Sequence, residues 1–151
     1  LDEKGLTGEL VTEFHYVLLM NENHPLAKKQ RITYADLRDH MEIAHADPYV
    51  PSLPAAEVKK DELPEDFSRR IFVFERASQF ELLATNTDAF MWVSPVPQDT
   101  LARFGLVQRP CADMQREYTD LLICRKEYRF TDLDNRFIEQ LKATKREILG
   151  E

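Results

Sequence analysis

Residues 14–40 read FHYVLLMNENHPLAKKQRITYADLRDH, and the order of features in this stretch decides the fold. Phe14 to Met20 is an apolar run containing aromatic and β-branched residues, the composition of a largely buried strand. Asn21 to Pro25 breaks it, and a basic patch follows. Thr33 then opens a short helix as its N-cap, because its hydroxyl can accept from an orphan backbone N–H while Asp36 sits in the first turn. That helix is expected to run one to two turns and end near His40. Strand, turn and capped helix in this order begin a β-α-β succession.

The pattern continues outward from there. MEIAH (41–45) reads as a second strand, stopped by Asp47-Pro48. Residues 48–69 are punctuated by proline and rich in charge, the signature of a solvated loop with a helical turn at 55–62. IFVF (71–74) reads as the next buried strand, and Ser78-Gln79-Phe80-Glu81 as an S-x-x-E capping box opening a helix that carries Phe80, Leu83 and Ala84 on one face. FMWV (90–93) is a fourth strand ended by Ser94-Pro95. Pro97 to Phe104 forms a helix with Gly105 after its last turn.

Leu106-Val107 and YTDLLIC (118–124) complete the strands. Thr131 caps a long helix with Leu133, Phe137, Leu141 and Ile148 near one face, and Gly150 follows it. The result is an α/β, Rossmann-like domain with a mainly parallel sheet. The first strand and the last strand with its helix lie outside the β-α-β succession, as parts of a neighbouring lobe would.

Composition narrows the functions available. The chain has 151 residues, the size of one ordinary domain, with 43% hydrophobic and 31% charged residues. A net charge of -7 opposes nucleic-acid binding through this chain's own surface, since phosphate contacts need a basic face. Cys111 and Cys124 have neither CxxC nor Cys/His spacing, so reduced thiols in a cytoplasmic protein are expected, without zinc or a disulfide framework. No apolar stretch reaches membrane-spanning length, so no membrane partner is expected. The sequence opens LDEKGLTGEL without an initiator Met, which reads as a start partway through a longer protein.

Candidate site residues gather at strand ends. None of the histidines, His15, His24, His40 and His45, has a metal-ligand spacing such as HExxH, and neither a metal nor a cofactor is expected. His24 before Pro25 reads as a turn residue. His45 ends a strand beside Asp47, and in open α/β sheets ligands bind beyond the carboxyl ends of strands. Arg76 and Ser78, with Glu75, lie between IFVF and its helix, where backbone N–H groups favour an anion, although capping alone accounts for Ser78. Ser94 is the polar candidate at the end of FMWV, whereas Phe90, Met91 and Trp92 read as core. No GxSxG, P-loop or GxGxxG is present, and no acid/base pair stands out. These residues suit a ligand-binding lobe better than an enzyme.

HYVLLM, then HPLA, then Ile32 to Leu37 with its D-L ending, resembles the effector-binding domain of LysR-type transcriptional regulators. MEIAHAD and LLICRKEYRFTDLDNRFIEQL are similar, in order, to the strand and loop that follow and to the returning strand and C-terminal helix. The resemblance implies two lobes like those of type 2 periplasmic binding proteins, joined by crossover strands. Residues 1–16 would be the end of the first lobe and the first crossover, 17–120 the second lobe, and 121–151 the return crossover and C-terminal helix.

It implies a small-molecule effector held between the lobes by Ala44, His45, Ala46 and Asp47 and, more loosely, Ile123. It further implies DNA binding through a winged helix-turn-helix absent from this chain, and a homodimer or homotetramer. Where the family often has G-x-G-x-x-x-L-P, this chain reads DAFMWVSPVP, keeping Pro95 and losing the glycines. Two other readings stand beside it: a solute-binding protein of the same fold, and a small α/β enzyme using His45, Asp47 and Glu75.

Overall fold

The computed structural model describes residues 4–45 and 69–149. The strands are β1 (Leu6–His15), β2 (Val17–Asn21), β3 (Met41–His45), β4 (Arg70–Val73), β5 (Ala89–Val93), β6 (Leu106–Arg109) and β7 (Glu117–Arg125). The helices are α1 (Tyr34–Leu37), α2 (Arg76–Thr85), α3 (Gln98–Phe104) and α4 (Asp132–Leu149). The Asp47-Pro48 stop, the turn expected at 55–62 and Gly150 lie outside the described residues.

β2 to β6 form one sheet in the order β4-β3-β5-β2-β6. β3, β4 and β5 are parallel, while β2 runs antiparallel to both β5 and β6. Four of the five strands therefore share a direction. Both faces of β2 and β5 are covered, which is why these two strands read as continuous apolar runs. Leu18, Met20 and Phe90 pack on one face with Leu26, Ile32, Leu37 and Cys111. Leu19, Met91 and Val93 pack on the other with Leu83 of α2 and Leu101 of α3. The period of two along β2 and β5 sends alternate residues to the two cores.

The HPLA turn belongs to the first of these faces. His24 is 3% exposed. Its Nδ1 accepts from the Leu26 N–H at 3.0 Å, and its carbonyl accepts from the Ala27 N–H at 2.9 Å, so the turn folds around the ring. Arg109 of β6 secures the following loop by donating to the Ala27 and Lys29 carbonyls at 2.6 and 2.7 Å.

β1 and β7 form a separate antiparallel pair from Leu6↔Arg125 to His15↔Glu117, with an irregularity between Leu10 and Thr12. The apolar run 14–20 is thus not one strand. It divides at Tyr16, where the chain leaves the β1/β7 ribbon and enters the larger sheet, and β1 extends back to Leu6. Leu6 to Glu13 carry no clear two-residue pattern because that ribbon is mostly exposed; its pairing with β7 makes it a strand.

Two further expectations are corrected. IFVF is not buried: among the described residues β4 is an edge strand, and Ile71, Phe72 and Phe74 are 42%, 53% and 71% exposed. Nor does Ser78 cap α2. Glu75 is the N-cap and the first helical bond runs from the Gln79 N–H to the Glu75 carbonyl, so Ser78 already lies in the first turn. The helix starts early because β4 ends at Val73, leaving two residues to turn the chain.

The remaining elements start and stop at their marked residues. Thr33 is the N-cap of α1, and the Asp36 carboxylate accepts from its N–H at 2.9 Å and its hydroxyl at 3.0 Å. Lys29 donates to the same carboxylate at 2.5 Å; this hydrogen bond, ahead of those from Thr33, lowers the Asp36 pKa to about 2. Gly105 ends α3 in the left-handed region, φ 63°, with its N–H turned back to the Leu101 and Ala102 carbonyls. Thr131 caps α4 reciprocally with Asp134.

Candidate functional site

The parallel strands bring their carboxyl ends to one edge of the sheet. His45 of β3 is in register with Val73 of β4, and Val93, the last residue of β5, pairs with Val17, the first of β2. The chain leaves this edge through Glu75 and Arg76 into α2, and through Ser94 and Pro95 toward α3. His45, Arg76, Ser78 and Ser94 are therefore carried on adjacent strand ends and the helix that follows one of them. Arg76 and Ser94 are exposed; Ala44, His45 and Ser78 are half-buried. Ala46 and Asp47 lie outside the described residues.

Gln79 supplies the hydrogen bonding that organises this edge. It is fully buried, and its Nε2 donates to the Val73 carbonyl at 2.8 Å and lies 3.1 Å from His45 Nδ1. Sequence reading placed it inside a capping box and gave it no site role. A signal was present, since Gln79 lies one turn before the core residue Leu83 and so shares its face. Farther along the same edge, Gln108 of β6 accepts from the Val96 N–H at 2.8 Å and holds the segment after Ser94.

Aromatic rings stand where β1 gives way to β2. Tyr16 stacks on Tyr118 at 4.1 Å between centroids, Phe14 lies 5.9 Å from Tyr118, and the Arg116 guanidinium lies 5.2 Å from the centroid of the Tyr118 ring. Deeper in, Tyr34 meets Trp92 edge-on at 6.0 Å, and burial raises the Tyr34 pKa. Phe90 and Met91 are core, as expected, and Trp92 packs against that core.

Ile123 is elsewhere. It pairs with Gly8 in the ribbon, six residues and about 20 Å along β7 from Glu117. With Cys124, Tyr128, Phe130 and Phe137 it lines an open, mostly apolar concavity of ≈ 550 Å³ between β7 and α4.

Among the described residues, His24, His40 and Asp88 bring metal-capable atoms within 4.8 Å of one another. The hydrogen bonding opposes ligation. His24 Nδ1 already accepts from Leu26 N–H, so the neutral ring carries its hydrogen on Nε2 and has no lone pair there to give a metal. Burial, and then the neighbouring His40, lower the His24 pKa to about 4, which keeps the ring neutral. His40 Nδ1 lies 2.6 Å from Asp88 Oδ1. These contacts make the group a brace between the HPLA turn and the approach to β5. The turn role read for His24 holds.

No family model matches this chain, and no curated protein sequence does. Solved structures do match. The effector-binding domain of QuiR in complex with shikimate superposes with a TM-score of 0.60 at 19% identity, over 95% of this chain and 66% of that one. This chain has the fold of a LysR-family effector-binding domain. The regulatory domain of MetR, a LysR-family regulator from N. meningitidis, gives 0.61 at 18% over 95% and 66%. The CcmR regulatory domain from Synechocystis PCC6803 in complex with 2-PG gives 0.59 at 16% over 92% and 66%.

The chain thus spans about two thirds of the LysR-family domains it matches. The MetR and CcmR domains among them are regulatory domains. No described helix of this LysR-like chain is long and apolar enough to cross a membrane.

Proposed function

We propose that this chain is part of the effector-sensing domain of a LysR-type DNA-binding transcriptional regulator in the cytoplasm. The observation that carries the reading is the match of fold over nearly the whole chain, joined to the ordered HPLA, D-L and C-terminal motifs in the sequence. Residues 1–16 end the first lobe and form the first crossover, 17–120 make the second lobe, and 121–151 return to the first. The pairing of β1 with β7 beside a larger sheet supports this division.

A small metabolite binds at the carboxyl edge of the larger sheet, in reach of Ala44, His45, Ala46, Asp47, Arg76, Ser78 and Ser94. Ile123, carried far along β7 in the ribbon, stands apart from this edge. Structural neighbours in complex with shikimate and with 2-PG support a small polar effector. Contact with DNA is made by a winged helix-turn-helix outside this chain, which suits the net charge of -7.

The effector acts by binding one arrangement of the lobes more tightly than another, and only that difference in affinity shifts the regulator's states. A homodimer or homotetramer passes the shift to the promoter. Promoter footprinting with the full-length protein, with and without a metabolite panel, tests this: a protected operator whose pattern changes with one metabolite is expected. Absence of operator binding under every condition overturns it.

A further inference from the structure

The longest helix, α4, has no buried residue. One flank holds it to the ribbon: Lys142 donates to the Glu9 carboxylate of β1 at 2.7 Å, and Ile138, one turn earlier, borders the concavity beside β7. Leu133, Phe137, Leu141, Thr144 and Ile148 recur every three or four residues and form a second stripe next to that flank. Leu133 and Phe137 are 76% and 59% exposed. An exposed apolar surface of this kind marks a contact. The charges along its outer border say what fits it. Arg136 and Glu147 stand there about three turns apart, and both are exposed. Neither is engaged in an ion pair among the described residues.

We propose that a second copy of this chain covers the apolar stripe of α4, as an antiparallel helix pair about a two-fold axis. With the axis between Gln140 and Leu141, Leu133 meets Ile148 of the partner subunit and Phe137 meets Thr144 of the partner subunit. Arg136 then stands within about one helical turn of Glu147 of the partner subunit, and the two-fold repeats the pair on the other side. In a parallel pair each of these charges would face its own like. Apolar side chains fill the seam, and the flanking charges set its direction, as they do in other paired helices. The inference names a contact for the homodimer and stands on α4 alone, without the effector reading.

Sedimentation velocity of the 151-residue chain over a dilution series tests the proposal. The mass is expected to rise with concentration from one copy to two and no further. Phe137→Glu puts a charge into the seam at an exposed position, and is expected to remain a single copy throughout. Arg136→Glu and Glu147→Arg are each expected to weaken the pair several-fold. The double exchange, Arg136→Glu with Glu147→Arg, is expected to return it to the wild-type affinity. Urea midpoints of the single-copy state report that each variant remains folded.

A chain that stays a single copy at every concentration overturns the proposal. The stripe would then belong to another occupant, such as the portion of the matched domains that has no counterpart in this chain. A mass that climbs beyond two copies overturns it as well, because an isologous contact closes at two. So does a pair that Phe137→Glu leaves intact. Single reversals without effect, or a double exchange that restores nothing, overturn the antiparallel arrangement. The regulator reading stands or falls separately, on the footprint.

Discussion

The rings of Tyr16 and Tyr118 stack with centroids 4.1 Å apart and planes 21° from parallel, across the point where the chain passes from one sheet to the other. Tyr16 is the single residue between β1 and β2, and Tyr118 lies opposite Phe14 in β7. The stack therefore ties the start of the larger sheet to the ribbon. Such pairs contribute about 0.5–1.5 kcal/mol beyond area burial. Tyr118→Ala is expected to lower stability by roughly 2 kcal/mol. Tyr118→Leu should recover only part of that. Urea unfolding of both variants checks this, and equal stability of Tyr118→Leu and wild type would remove the stack from the account.

His24 makes stability pH-dependent. Its folded pKa of about 4 lies below the model-compound 6.5, chiefly through burial. Above pH 6.5 the ring is neutral in both states and contributes no pH slope. As pH falls from 6.5 toward 4 the unfolded chain takes up a proton that the folded chain does not, and about 3 kcal/mol is lost across that window. His24→Asn keeps an oxygen to accept from the Leu26 N–H but cannot titrate. Its pH slope between 6.5 and 4 should be shallower, at the expense of about 1–2 kcal/mol near neutrality. Denaturant midpoints measured across this range compare the two, and identical slopes would refute the assignment.

Asn21 is buried at the end of β2 and donates to the Leu83 and Ala84 carbonyls at 3.2 and 2.8 Å, while its Oδ1 accepts from the Asn23 N–H at 2.9 Å. It completes the C-terminal turn of α2 from another element. Asn21→Ala leaves carbonyls and an amide without partners, at about 2–3 kcal/mol. Asn21→Asp is expected to be at least as damaging, since a carboxylate would face those carbonyls. Thermal denaturation ranks the variants, and a shift under about 1 °C for Asn21→Ala would contradict this role.

Gly105 adopts φ 63° in open space, where an added Cβ would meet only the Glu22 carboxylate at 3.9 Å. Gly105→Ala therefore costs backbone strain alone, roughly 1 kcal/mol, and Gly105→Asn less, because Asn tolerates the left-handed region better. Chemical denaturation should return the order Gly, Asn, Ala. A larger loss for Asn than for Ala would point to steric crowding instead.

Much of the fold is legible locally. MEIAH matches β3 residue for residue, Gly105 ends its helix, and Thr33 and Thr131 start theirs. Each signal acts within a few residues, so one stretch of chain contains all of it. Ser78 misled because an S-x-x-E spacing also occurs inside a helix, and only the position where β4 stops selects Glu75 as the cap. The strand ends that carry His45 and Ser94 were legible. Gln79 was not, since its partners Val73 and His45 lie 6 and 34 residues away in sequence.

Sequence alone determined the alternation of strands and helices, the turn role of His24 and the likeness to LysR-type effector domains, because periodicity, capping and motif order are local properties of the chain. Tertiary structure decided that FHYVLLM divides at Tyr16 between two sheets, that β4 is an exposed edge among the described residues, and that Gln79 of α2 reaches both Val73 and His45. Those outcomes depend on pairing partners brought together by folding, and a strand is defined by its partner as much as by its own residues.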